Sequence, residues 1–143
     1  SRKYLDWGRR NFEANGMNAA DHDFIYGDVF DWLKRLAKKG RKFDGIILDP
    51  PTFSQSKVGT FRAEKDYPKL VLETLPLLKT DGILFLSTNA ARLGAEEFLA
   101  STRAVIRPER TVQEHYFPQP IDFPVSKREP AYLKTVWYRV GGS

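Results

Sequence analysis

The residues with the clearest capacity for chemistry lie within positions 43–53, in the sequence FDGIILDPPTF. The apolar run Gly45–Asp49 predicts a buried strand, and this strand stops abruptly at Pro50 and Pro51. In an open α/β sheet, ligands bind just beyond the carboxyl ends of the strands. Because proline stiffens the turn and biases the residue before it away from helix, Asp49 is expected to stand on a rigid platform at such an end.

This platform suits the binding of a flat heterocyclic base. The carboxylate of Asp49 and the backbone carbonyl of Pro50 are hydrogen-bond acceptors, and Phe53 is close enough in the chain to stack on a planar ring. The competing interpretation is an ordinary strand followed by a proline turn, with Phe53 packed in the core beneath the loop. Both interpretations stay open at this point.

The amino-acid composition limits which classes of protein and which kinds of site are possible. The 143 residues suggest one domain, and 23 basic against 18 acidic side chains give a net charge of +5. This charge fits a polyanionic partner without requiring one. The lack of cysteine excludes disulfides, thiolate zinc sites and cysteine nucleophiles, and two histidines are too few for a histidine-based metal cluster. No apolar run of about 18 residues and no signal peptide is visible, so a cytoplasmic location is expected.

Strands and helices are expected to alternate along the chain. The apolar periodicity and the turn signals predict helices at Ser1–Asn15, Val29–Lys39, Ala63–Lys79 and Gly94–Ile106. They predict strands at Asp23–Gly27, Gly45–Asp49, Gly82–Ser87, Thr111–Phe117 and Tyr132–Val140, with a polar, basic loop at 54–62 and a proline-rich loop at 118–130. This alternation indicates an α/β fold with a mostly parallel sheet covered on both faces, whose last two strands form an antiparallel pair.

Three segments carry a resemblance to a known family. The segments SRKYLDWGRRNFEANG, DFIYGDVFDWL and FDGIILDPPTFSQSK resemble class I S-adenosylmethionine-dependent methyltransferases, above all the large-subunit ribosomal RNA methyltransferases of the RlmK/RlmL and RlmI types. The likeness runs from Ser1 to about Asn89. It implies a Rossmann-like fold, S-adenosyl-L-methionine as cofactor, ribosomal RNA as partner, and methyl transfer to a guanine of 23S ribosomal RNA.

The resemblance also implies roles for individual residues. The implied catalytic residues are Asp49, Pro50, Pro51 and Phe53, the implied cofactor-binding residues are Asp28, Val29 and Asp49, and the implied substrate-binding residues are Thr52, Lys57 and Asn89. For Asp28, the competing interpretation is a helix N-cap, and the two roles can coexist. The basic residues expected to face RNA phosphates are Lys57, Arg62, Lys65, Lys127 and Arg128, each of which can equally be ordinary surface charge.

The sequence departs from the family at its start. Members of the family begin with a strand and a glycine-rich loop and continue with a second strand that ends in an acidic residue, and the sequence shows neither strand. The family sheet order is 3-2-1-4-5-7-6, so this chain is expected to supply strands 3 to 7 with a gap of roughly 14 Å beside strand 4. We therefore hypothesise that this chain alone is not a competent methyltransferase. The alternatives are a methyltransferase for another base or a small molecule, and a non-catalytic RNA- or nucleotide-binding module.

Overall fold

The structure, a computed structural model, describes residues 2–56, 59–106, 112–123, 125–126, 128 and 131–141. The helices among these residues are α1 (Arg2–Ala14), α2 (Val29–Lys38), α3 (Ala63–Thr74) and α4 (Ala95–Ile106). The strands are β1 (Phe43–Leu48), β2 (Phe53–Ser56), β3 (Gly59–Arg62), β4 (Leu78–Thr88), β5 (Val112–Pro118) and β6 (Lys134–Val140). Two short 3₁₀ turns lie at Ala19–Asp21 and Leu75–Leu77.

The main sheet has four strands in the order β1-β4-β6-β5. Strands β1 and β4 are parallel, and β6 pairs antiparallel with both β4 and β5. This order agrees with the 4-5-7-6 part of the family sheet, and the expected antiparallel pair at the end of the chain is confirmed. The Rossmann-like α/β class is confirmed as well, although antiparallel pairings outnumber parallel ones in the described sheet.

The core lies between the sheet and helices α3 and α4. In β6 the residues alternate strictly, so that Val136, Tyr138 and Val140 are buried while Trp137 is 42% exposed. Tyr67 of α3 packs edge-on against Phe98 of α4, with 5.1 Å between the ring centres. Within the described residues, helices α3 and α4 cover this face of the sheet. None of the helices described has the length and apolar character that spanning a bilayer demands.

Strand β1 is less buried than the sequence predicted. Only Leu48 of this strand is fully buried, and Ile47 is 70% exposed. The expectation of a buried strand was therefore wrong for most of its residues. One reason is the face of the sheet: Ile47 lies beside Phe85, which lies beside Trp137, and this face is opposite the one that α3 and α4 cover. Strand β1 also lies at the edge of the described sheet and pairs with β4 alone.

The strand predicted at Asp23–Gly27 does not form in the structure. A strand needs a neighbouring strand for its backbone hydrogen bonds, and no described strand lies beside this segment. Two of its carbonyls accept hydrogen bonds from side chains instead. The Arg9 guanidinium donates to the Phe24 oxygen at 3.4 Å, and the Trp32 indole donates to the Tyr26 oxygen at 3.1 Å.

The segment predicted as a loop at 54–62 contains a β-hairpin. Strands β2 and β3 pair antiparallel, with Phe53 opposite Arg62 and Ser54 opposite Phe61. The base of the hairpin is closed by a hydrogen bond from the Ala63 amide to the Thr52 carbonyl at 3.0 Å. Polar composition concealed this element, although a glycine between two short runs that each contain an aromatic residue is a known hairpin signal.

Helix α3 ends earlier than predicted. It stops at Thr74, where Leu75–Leu77 forms a 3₁₀ turn and β4 begins at Leu78. Pro76 explains the change because proline cannot donate the backbone hydrogen bond that would continue the helix. Pro68 lies inside the helix without ending it.

Candidate functional site

The turn before α2 has a backbone conformation that requires glycine. Gly27 has φ +145°, a region that other residues rarely adopt. A Cβ at this position would lie 2.6 Å from the indole nitrogen of Trp32, which itself donates to the Tyr26 carbonyl. The close approach of Trp32 therefore fixes the path of the chain into Asp28.

Asp28 caps helix α2. Its Oδ1 accepts hydrogen bonds from the amides of Phe30 at 3.0 Å and Asp31 at 3.3 Å, which satisfies two donors of the first helical turn. The alternative interpretation of Asp28 as an N-cap is thus realised. Both capping bonds use Oδ1, so they are compatible with a ligand contact through Oδ2. Val29, the next residue, leaves 47% of its surface exposed beside this carboxylate.

The carboxyl end of β1 lies across a cleft from this turn. The cleft has a volume of about 1230 Å³ and contains both the turn around Asp28 and the two prolines that follow Asp49. Its lining consists of Tyr26, Gly27, Asp28, Val29, Phe30, Asp31, Pro50, Pro51, Ser54, Gln55, Gly59, Thr60, Phe61, Asp66, Lys69 and Leu70. The structure thus brings together four residues that the sequence singled out: Asp28, Val29, Pro50 and Pro51.

Three of the remaining predicted residues, Asp49, Thr52 and Phe53, adjoin the lining residues along the chain. Asp49 is exposed and directly precedes the prolines. Thr52 and Asn89 come together, because the Thr52 hydroxyl donates to the Asn89 side-chain oxygen at 2.9 Å and so links the proline turn to the end of β4. Lys57 lies outside the described residues, as does Lys127.

Phe53 is a surface residue of the hairpin. Its side chain is 56% exposed, and the Arg62 guanidinium lies 5.7 Å from the ring centre. The alternative that placed Phe53 in the core is therefore wrong. An exposed ring paired with a cation is the kind of platform on which nucleic-acid bases stack.

The lining of the cleft also contains aromatic and basic residues that the sequence did not single out. Phe61 of the hairpin lies 6.4 Å from Phe30 of α2, measured between ring centres. The Lys69 ammonium lies 5.2 Å from the centre of the Phe30 ring. The contact between Phe61 and Phe30 depends on the hairpin, so the expectation of a loop at 54–62 hid it.

Two buried polar residues near the strand ends were also missed. Tyr67 is fully buried, and its hydroxyl lies 2.8 Å from the carbonyl oxygens of both Leu48 and Ser87. Lys134 is 5% exposed, and its ammonium donates to the carbonyls of Ala90 at 2.7 Å and Leu93 at 2.8 Å. Burial lowers the pKa of Lys134. The alternation KTVWYRV, which places Lys134 in step with the buried residues of β6, was the signal that could have found it.

The chemistry of the cleft fits a nucleoside. Its apolar walls include Val29, Phe30 and the two prolines, and the Asp28 carboxylate is an acceptor for an exocyclic amino group. The cleft is open to solvent, and its volume exceeds the 300–1,000 Å³ or so that is usual for one small ligand. Among the described residues, no cluster of three or more histidine or acidic side chains is arranged to hold a metal ion.

Comparisons with known proteins identify the family to which the chain belongs. A family model described as S-adenosylmethionine-dependent methyltransferase matches residues 1–139. Ribosomal RNA large subunit methyltransferase K of Neisseria meningitidis serogroup B is 38% identical over 107 residues, which cover 73% of this chain and 30% of that protein. Ribosomal RNA large subunit methyltransferase K/L of Psychrobacter cryohalolentis is 39% identical over 110 residues, which cover 74% of this chain and 14% of that protein.

A solved structure agrees with these matches. The crystal structure of SMU.776 in complex with SAH superposes with a TM-score of 0.81 and 31% identity, and covers 90% of this chain and 34% of that one. The chain thus spans about a third or less of the length of the relatives named here. The family match over residues 1–139, the strand order and the cleft agree, and the chain belongs to the S-adenosylmethionine-dependent methyltransferase family.

Proposed function

We propose that the natural polypeptide containing this chain transfers a methyl group from S-adenosylmethionine to a guanine of 23S ribosomal RNA. One observation carries the proposal: the Asp28 turn and the Pro50–Pro51 turn border a single cleft. The names of the relatives, ribosomal RNA large subunit methyltransferases, support ribosomal RNA as the substrate.

The residues present fit the adenosine end of the cofactor. The Asp28 carboxylate accepts from the adenine amino group while Val29 and Phe30 provide an apolar wall for the ring. When bound, S-adenosylmethionine supplies an electrophilic methyl group. The remaining work of the chain is to hold the acceptor base in line with that group and to exclude water.

The exposed end of β1 orients the acceptor base. The carboxylate of Asp49 and the carbonyl of Pro50 accept from its polar edge, and Phe53 stacks on its face. A guanine ring nitrogen with a lone pair needs no proton removed before attack, so orientation and electrostatics supply most of the rate. Methylation at cytosine carbon 5 through a cysteine nucleophile has no such residue in this chain.

The basic side chains around the cleft suit an RNA backbone. Arg62 stands on the hairpin beside Phe53, and Lys69 borders the cleft from α3. Together with Lys65 on the first turns of α3, they can pair with phosphates on either side of the target base. Such contacts place the RNA but do not select its sequence.

Methyl transfer from tritiated S-adenosylmethionine tests the proposal. The full natural polypeptide is incubated with unmodified 23S ribosomal RNA, with 16S ribosomal RNA and a nucleoside mixture as competitors, and the labelled RNA is digested to nucleosides. We expect label in a guanosine derivative from 23S RNA only. Label no higher than that of a reaction without the protein would contradict methyl transfer, and label in a pyrimidine or in free nucleosides would contradict the substrate.

A further inference from the structure

The hydroxyl of Tyr67 joins the ends of the two strands that carry the proposed chemistry. It lies 2.8 Å from the Leu48 carbonyl, the last residue of β1, and 2.8 Å from the Ser87 carbonyl near the end of β4. It also accepts a hydrogen bond from the Ser87 amide at 3.1 Å. The single proton of this hydroxyl is therefore shared between two carbonyls, and its oxygen accepts from one amide, at the point where β1 and β4 separate.

The proline turn explains why a side chain is needed here. Parallel strands stay paired only while each supplies backbone amides to the other. Beyond Leu48 the chain continues with Asp49, Pro50 and Pro51, and the two prolines have no backbone N–H. Because the prolines supply no amide, the continuation of β1 offers no backbone donor to the Ser87 carbonyl. The Tyr67 hydroxyl replaces the missing pairing.

The position of this hydroxyl is set by the core. Tyr67 has no exposed surface, and its ring packs edge-on against Phe98. Burial raises the pKa of the Tyr67 hydroxyl, and the negative charge of the nearby Asp49 acts in the same direction. The hydroxyl thus stays neutral, and it remains available as donor and acceptor.

We propose that Tyr67 is a positioning residue for the methyl transfer: it holds the ends of β1 and β4 at a fixed separation and thereby aims Asp49 and Asn89 at the target base. The inference rests on the proposed function, since Asp49 and Asn89 act only if a base lies between them. Asn89 is connected to the same unit through its hydrogen bond with Thr52. Tyr67 touches no substrate and acts only through the strand ends.

The test compares two substitutions that each remove one buried hydroxyl. Tyr67→Phe keeps the ring against Phe98 and removes the link between β1 and β4. Tyr138→Phe is the matched control, because Tyr138 is equally buried and its hydroxyl lies 3.0 Å from the Thr102 hydroxyl, between β6 and α4. Both are made in the full natural polypeptide and examined for melting temperature, kcat and KM on 23S RNA, and amide exchange at Ser87.

We expect Tyr67→Phe to lower kcat roughly ten- to a hundredfold with KM little changed, because misplaced reacting groups lose rate more than affinity. Tyr138→Phe is expected to lower the melting temperature comparably and to leave kcat unchanged. Incorporating 3-fluorotyrosine at position 67, which restores a hydroxyl, should restore kcat. Unchanged kcat in Tyr67→Phe, or an equal fall in Tyr138→Phe, would overturn the inference.

Amide exchange separates this inference from the proposed function. If the wild-type protein methylates no ribosomal RNA, the proposed function is wrong and the exchange at Ser87 decides the role of Tyr67. Faster exchange at Ser87 in Tyr67→Phe, and not in Tyr138→Phe, supports the hydroxyl as the element that holds the strand ends. Unchanged exchange in Tyr67→Phe overturns it.

Discussion

The two walls of the cleft are held in place by different means. The wall at the end of β1 depends on tertiary structure, because the Tyr67 hydroxyl reaches it from a buried position in α3. The wall around Asp28 depends on local structure, namely the conformation of Gly27, the indole of Trp32 and the helix cap. Helix α1, which precedes this turn, buries none of its residues.

Substitutions in the two walls should therefore have different effects on activity and on ligand binding. A change at the β1 wall alters groups that are fixed by the core, so it affects the rate of chemistry. A change at the Asp28 wall alters a turn whose shape is set by contacts within residues 26–32, so it affects ligand affinity and the local helix end. Substitutions in the two walls and in the core beside them test this difference.

Asp49→Ala should produce the largest loss. Removing the carboxylate at the proposed acceptor site should lower methyl transfer by about a hundredfold, the scale seen when one preorganised electrostatic group is lost. Because Asp49 is exposed, thermal melting should be unchanged. The matched control is Asp44→Ala, at the other end of β1, where the carboxylate pairs with Lys79 at 2.8 Å. Equal activities of the two variants would refute the role of Asp49.

Gly27→Ala should weaken cofactor binding by about tenfold, because the strained φ and the contact with Trp32 force the Asp28 turn to move. Calorimetric titration with S-adenosylhomocysteine measures the effect. Gly40→Ala is the control: it also has a positive φ, of +67°, but has no atom within 4 Å of the added Cβ. Equal affinities in the two variants would show that the turn does not shape the cofactor site.

Substitutions of Asp28 separate capping from ligand binding. Serine caps helices well, so Asp28→Ser should keep the stability of wild type, whereas Asp28→Ala should lose about 1 kcal/mol. Both should weaken S-adenosylhomocysteine binding severalfold and RNA binding less. Titrations of both ligands check this, and wild-type cofactor affinity in Asp28→Ser would mean that Asp28 is only a cap.

Lys134 should show a small effect on activity and a distinct dependence on pH. Burial lowers its pKa below 10.5, so between the lowered value and 10.5 the unfolded chain binds more protons than the folded chain. The contribution of Lys134 to the free energy of unfolding therefore increases as the pH rises through this window. Urea denaturation of wild type and Lys134→Met across the alkaline range measures the difference, and parallel pH profiles would contradict it.

Local signals predicted much of the fold. Asp28 before an apolar helical face and Gly40 after it marked α2 within one residue, and strict alternation marked β6. These elements follow from hydrogen bonds and periodicity within a short stretch of chain. The association of Asp28 with the proline turn also followed, but only from the family resemblance.

Features that depend on distant partners could not be predicted in this way. The segment Asp23–Gly27 has the composition of a strand, yet no described strand pairs with it. Tyr67 lies on the buried face of α3, as its spacing with Leu70 and Val71 indicates, but the position of its hydroxyl depends on where β1 and β4 end. Strand pairing and the positions of such side-chain groups are determined only when the separate helices and strands pack together.

The central claim is that the Asp28 turn and the Pro50–Pro51 turn form one binding site. Titration of S-adenosylhomocysteine into the isotopically labelled full natural polypeptide, followed by nuclear magnetic resonance, tests it most directly. If the two turns form one site, the amides of residues 27–30 and those of Leu48, Asp49 and Thr52 will shift together along one binding curve, since Pro50 and Pro51 have no amide N–H. Shifts confined to one of the two segments, or no binding by a folded sample, would contradict it.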